Sequence, residues 1–197
     1  SMAERVISTR LVMAGESEYR SAVKQIDAEM RTLKSGIKLV DSEFRGQQNT
    51  MQALEAKHKA LGDAISKLNE KFNFESAAVT KNEELQRQAA AQAESLKAKI
   101  ADLSAEKQRL GKTSGNTAAQ EAKLNEEIVR LTAELNKAEA GERAASEAIE
   151  RHKSAANKAQ TAINDYSREQ QAYTKYVEEA RTSSDGCATS IDHLGKE

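Results

Sequence analysis

Stepping alternately four and three residues from Tyr19, the chain visits Tyr19, Val23, Ile26, Met30, Leu33, Ile37, Val40 and Phe44. The walk goes on through Gln47, Met51, Leu54, His58, Leu61, Ile65, Leu68, Phe72, Glu75 and Val79. Fifteen of these eighteen positions are apolar, where the overall apolar share of 38% would place about seven. A 3.5-residue repeat held this long puts one apolar stripe along a supercoiling helix. Past Val79 the frame is expected to slip. It resumes through Leu85, Ala89, Ala93, Leu96, Ile100, Leu103 and Leu110, like a stutter that relaxes the supercoil. A second walk runs through Leu124, Ile128, Leu131, Leu135, Ala138, Glu142, Ala145, Ile149 and His152. It continues through Ala156, Ala159, Ile163, Tyr166, Gln170, Tyr173, Val177 and Ala180, with fourteen of its seventeen positions apolar.

Composition fits this pattern. The 197 residues contain no proline, which would remove a donor and clash inside a helix. Tryptophan is absent and only seven residues are aromatic, too little bulk for a thick globular core. The fold class is therefore all-α, built from long coiled-coil helices rather than an α/β or β-sandwich domain. Thirty basic residues stand against thirty-one acidic ones without a block of like charge, which argues against a nucleic-acid arm or polybasic membrane segment. No stretch approaches the ~18 apolar residues of a membrane span.

Between the walks, Gly111-Lys112-Thr113-Ser114-Gly115-Asn116-Thr117 reads as a turn. Gly111 is placed to cap the first helix, and Thr117 with Gln120 to form a capping box for the second. Two heptad helices joined this way predict an antiparallel hairpin. Residues 16–110 form its first arm, 111–116 the turn and 117–183 the second arm. The polar seam positions predict the register: Glu75 faces His152 and His58 faces Gln170, with Phe72 opposite Ala156. Ser183-Ser184-Asp185-Gly186 predicts a break, with 184–197 carrying a short helical tail whose Cys187, Ile191 and Leu194 pair with Val40, Ile37 and Leu33. The stripe from Tyr19 to Met30 then lacks a partner within the chain, so a second subunit or sequence beyond Glu197 is expected to cover it. Gly46 followed by Asn49-Thr50 is a possible bend, disfavoured by the unbroken frame. Residues 1–15, with apolar, β-branched Val6-Ile7-Ser8-Thr9-Arg10-Leu11-Val12-Met13, read as a short strand or extended arm. Ser1-Met2 reads as a remnant of tag cleavage before a start methionine, and the chain as cut from a longer protein.

Little in the sequence carries chemistry. Gly111-Lys112-Thr113 resembles the end of a phosphate-binding loop, but position 106 is Glu where the motif needs glycine. His58, His152 and His193 have no zinc spacing with Cys187 or each other. Cys187 lacks a histidine base on its own face and reads as a small seam thiol. Tyr166 and Tyr173 lie on the seam, which favours packing over base stacking for the group they form with Tyr176. No catalytic, cofactor or metal site is expected, and the reading is of a non-enzyme.

Gly15-Glu16-Ser17-Glu18-Tyr19-Arg20, the heptads that follow to Phe44, and residues 185–197 after Tyr176-Val177-Glu178-Glu179-Ala180 resemble phage tail tape-measure proteins. The resemblance covers about residues 5–80 and 165–197; the middle is generic coiled coil. It implies a long helical protein in the tail lumen of a phage or prophage particle, assembled in the bacterial host cytoplasm. Its implied partners are the tail tube protein, tail assembly chaperones and tail-tip proteins; a homo-oligomer is expected separately, from the unpartnered Tyr19–Met30 stripe. Such a protein sets tail length, and a hairpin would shorten that ruler. The competing expectation is a general bacterial coiled-coil scaffold, such as the arm of a segregation-ATPase-like protein.

Overall fold

The computed structural model describes residues 16–47 and 50–194, and for 16, 180 and 183–194 the backbone alone. These residues form three long helices packed against one another: α1 (Glu16–Glu43), α2 (Met51–Gly111) and α3 (Ala118–Leu194). No strand occurs among the described residues. The strand or arm expected at 1–15 lies outside them.

The chain divides into two compact units. A three-helix unit contains α1, α2 up to Ser76 and α3 from Ser154. A two-helix unit, Ala77–Lys153, contains the rest of α2 and α3 with the turn between them.

The first correction concerns residues 44–50. Residues 44–47 and 50 are not helix, and beyond this link α2 runs back along α1. Gly46 has φ +81°, in the left-handed region that favours glycine. Gln47 N–H donates to the Phe44 carbonyl at 2.8 Å, closing the turn. Thr50 caps α2, its hydroxyl accepting from Ala53 N–H at 3.3 Å and its carbonyl from Leu54 N–H at 3.0 Å. The link is seven residues, one whole heptad, so the apolar walk passes through the reversal without changing frame. Periodicity alone is blind to it.

The second correction follows. The Tyr19–Met30 stripe has its partner in the chain. Tyr19, Ile26, Met30 and Ile37 are buried, and Met30 and Ile37 join Leu61, Ala64, Leu68 and Ile163 in one core. To meet two neighbours, α2 carries a second stripe beside the predicted one. Ala53, Lys57, Ala60, Ala64, Lys67, Lys71, Phe74 and Ala78 recur at the same four-three spacing, all buried or half-buried. Small residues let α1 approach, and lysine stems cover apolar surface while their heads meet acids.

In the two-helix unit, Ala93, Leu96, Leu131 and Ala138 form the core, with Ile100, Leu103 and Leu135 against them. Gln86 Nε2 donates to Ser146 Oγ at 2.6 Å, and a Cβ built on Gly141 lies 4.0 Å from that of Ala89. Both pairs have midpoints at residues 115–116, inside the turn, so the contacts run in opposite order along the two helices. There is no stutter. Asn82 and Gln86 carry the frame from Val79 to Ala89, whereas Leu85, expected on the seam, is exposed. Polar side chains at those two steps hide the continuity from a search for apolar residues.

Three boundary details also differ from expectation. Gly111 is the last residue of α2, and the left-handed glycine of the turn is Gly115, at φ +127°. Thr113 N–H closes the helix end on the Leu110 carbonyl at 3.1 Å. At the start of α3, Asn116 Oδ1 accepts from Ala118 N–H at 3.4 Å, and the Thr117 hydroxyl turns to Glu121 at 3.3 Å rather than forming a box with Gln120. Finally, α3 runs unbroken to Leu194, through the break expected at 184–186. One glycine inside a helix costs only about 1 kcal/mol relative to alanine, and no proline stands nearby to enforce a stop. The pairing expected of Cys187, Ile191 and Leu194 lies outside the described side chains.

Candidate functional site: charged seams of the three-helix unit

The residues that distinguish one part of the molecule chemically are the ionic and polar groups where α1 and α3 pack on α2. Lys57 is buried, with 6% of its side chain exposed. Its Nζ lies 2.6 Å from Asp41 Oδ1 on α1, 3.7 Å from Glu169 Oε1 on α3 and 5.8 Å from the centre of the Tyr173 ring. One cation from α2 therefore touches both neighbouring helices, and its heptad position in the second stripe puts it there.

Nearly three turns further on, Lys67 pairs with Glu29 of α1 and, at 2.8 Å, with Glu70 of its own helix. Lys71 Nζ lies 2.5 Å from Asp27 Oδ1. The hydrogen bond from Lys67 holds the Glu29 carboxyl below the usual carboxylate range, its charge adding to the effect while burial opposes it. Burial works against the Lys67 ammonium, but its hydrogen bonds to Glu29 and Glu70 outweigh that, and its proton is held more tightly than usual. At the end of this interface Tyr19 stacks on Phe74, ring centres 5.1 Å apart at 25°, and donates its hydroxyl to buried Glu75.

On the α3 side, Gln170 Nε2 donates to the His58 carbonyl at 3.3 Å, so the polar seam positions 58 and 170 meet through side chain and backbone. A Cβ on Gly62 would lie 3.0 Å from that same Nε2, so the glycine makes room for the glutamine. Glu75 belongs to the three-helix unit and His152 to the two-helix unit; both are buried. Most of the seam residues named from the sequence are buried or half-buried, among them Tyr19 to Val40 on α1, Phe44 just after it, Leu54 to Phe72 on α2, and Leu124 to Val177 on α3, whereas Gln47 and Leu85 are exposed.

A groove of about 560 Å³ runs between the three helices, with Met30, Leu68 and Ala162 inside and Arg31, Lys34 and Tyr166 among its charged or polar lining. Burial, and secondarily the charge of Glu169, pushes the Tyr166 hydroxyl up, with Lys57 pulling the other way. Among the described residues no three His, Cys, Asp or Glu side chains converge to hold a metal ion. No buried side-chain nitrogen or oxygen there lacks a hydrogen-bond partner. No described helix is long and apolar enough to cross a membrane. Cys187 and His193 fall where side chains are not described.

Sequence reasoning missed the ionic seam because it followed apolar residues alone. The signal was present as lysines and alanines recurring at heptad spacing beside the main stripe. What the arrangement does chemically is align helices: opposite charges meet only in one register. Compared with known proteins, the chain matches no family model, no curated protein and no solved structure.

Proposed function

We propose that this chain is a structural segment of a phage tail tape-measure protein, folded as antiparallel coiled-coil arms. In this reading it sets tail length and templates the tail tube, working with the tube protein, assembly chaperones and tail-tip proteins in the virion tail. The observation that carries it is a single four-three frame from Tyr19 to Val177, with no proline and no stutter. Such a chain converts residue count into length at about 1.5 Å per residue. Whole heptads can be added or removed without disturbing the seam, as a length standard requires. The resemblance of the segments around Tyr19 and after Tyr176 supplies the family. The fold-back of α1 bears on the ruler, because a helix lying along its neighbour adds no length until it swings out.

The test is deletion of two heptads from each arm of the full-length gene, 89–102 and 127–140, chosen so that opposed positions go together. Tails measured by electron microscopy should shorten by about 42 Å if the arms are extended in the particle, or about 21 Å if they stay folded back. Unchanged tail length would overturn the assignment.

A further inference from the structure

The α1–α2 interface is held by Tyr19 with Phe74 and Glu75, Asp27 with Lys71, Glu29 with Lys67, and Asp41 with Lys57. The midpoint of every pair falls between residues 46 and 49. Any contact made about such a centre can be made equally by a second copy turned through a two-fold axis there. Three features make that exchange specific to this link. It is one heptad long, so closing it into helix leaves the α1 and α2 stripes in one frame. Phe44, Arg45, Gln47 and Gln48 tolerate helix, and Gly46 is the described residue that holds the reversal in a left-handed conformation. By contrast, all five residues 113–117 of the second turn, Thr-Ser-Gly-Asn-Thr, are weaker helix formers, against only Gly46, Asn49 and Thr50 of the seven in the link.

We propose that the seat of α1 on the three-helix unit is also a self-association surface, whose partner is α1 of a second copy of this chain. In the exchanged dimer the link is helical and each α1 lies on the partner's α2. Asp27, Glu29 and Asp41 meet the partner's Lys71, the partner's Lys67 and the partner's Lys57. The apolar face of α1, Tyr19 to Ile37, buries the same neighbours it buries within one chain, so exchange exposes no new core. Opening and closing Gly46 decides between the two forms.

A charge-reversal pair tests this. One variant carries Asp27→Lys and Glu29→Lys; the other carries Lys67→Glu and Lys71→Asp. Within each chain like charges then oppose across α1 and α2, while between the two chains every pair is again opposite. Refolded together in equal amounts, they should give by light scattering a species of twice the 21.5 kDa chain mass, associating at least tenfold more tightly than either variant alone. A mixture that stays at the single-chain mass, or dimerises no more than its components, overturns the proposal. Should either variant fail to fold alone, helical circular dichroism must return on mixing; its failure to return also overturns it. Independently, Gly46→Ala disfavours the left-handed link and favours the helical one. It should strengthen dimerisation of the otherwise native chain roughly tenfold per chain, or roughly 100-fold per dimer. No change in the dimerisation constant contradicts the hinge.

Discussion

In the three-helix unit α2 is gripped on two sides, and Leu61 is fully buried between Met30, Ile37 and Ile163. In the two-helix unit the same helix has one neighbour, and its most buried residue is Ala93, at 2%. The heptad frame is common to both; the number of stripes is not. Where α2 meets α1 and α3, a second stripe of alanine and lysine flanks the first, and ion pairs cross from helix to helix. The ion pairs Arg87–Glu84, Lys97–Glu94 and Arg130–Glu127 of the two-helix unit lie within one turn of their own helix. The frame says that helices pack, and the flanking residues say how many.

That difference can be broken most forcefully at its apolar centre. Leu61→Ala removes a side chain enclosed on both sides and should cost about 3–4 kcal/mol, within the range for buried leucines. Leu96→Ala, on a seam with one neighbouring helix, should cost about 2 kcal/mol, the low end of that range, because the site collapses more readily. Chemical denaturation of each variant measures this, and equal losses would erase the distinction.

Acid probes the ionic seam. The Glu29 carboxyl is held below its unfolded value by Lys67, so its contribution is full above about pH 4.3 and is lost as pH falls through the lower folded value. Glu29 and Lys67 are both partly solvated, which keeps the effect at no more than about 1 kcal/mol. Amide protection, taken relative to the intrinsic exchange rate at each pH, should fall in α1 below about pH 4 before it does in 86–103. Uniform loosening of both would contradict an ionic hold on α1.

The smallest contrast lies in two glycines. Gly141→Ala places a methyl at an ordinary 4.0 Å from Ala89 and should stabilise by up to about 1 kcal/mol through helix propensity. Gly62→Ala pushes on the Gln170 amide at 3.0 Å and strains its bond to the His58 carbonyl, so about 1 kcal/mol of that gain should disappear. Thermal melts of the pair separate the two positions.

Much of this architecture is legible in the residues. Tyr19, Leu61, Ile163 and most of the apolar seam occupy buried or half-buried places, Leu85 excepted, and the glycine-rich turn falls between α2 and α3. The reversal after α1 is hidden because a heptad-long link preserves the frame, leaving Gly46, Asn49 and Thr50 as its local signs. Asn82 and Gln86 read as a slip because they are polar side chains at seam positions. The helix through Ser184, Asp185 and Gly186 shows that weak helix formers without proline do not amount to a stop. The role of Lys57 is hidden for a similar reason, since a lysine on a helix ordinarily faces water.

The fold-back of α1 is open to one direct measurement. Spin labels at exposed Glu18 and Asn73, with Cys187 replaced by serine and labelled chains diluted in unlabelled ones, report whether the ends of that interface meet within one chain. Because Tyr19 touches Phe74, pulsed electron resonance should give a distance under about 30 Å, two helix diameters plus the label arms. A distance near 80 Å, the length of fifty-five residues in one continuous helix, would contradict it.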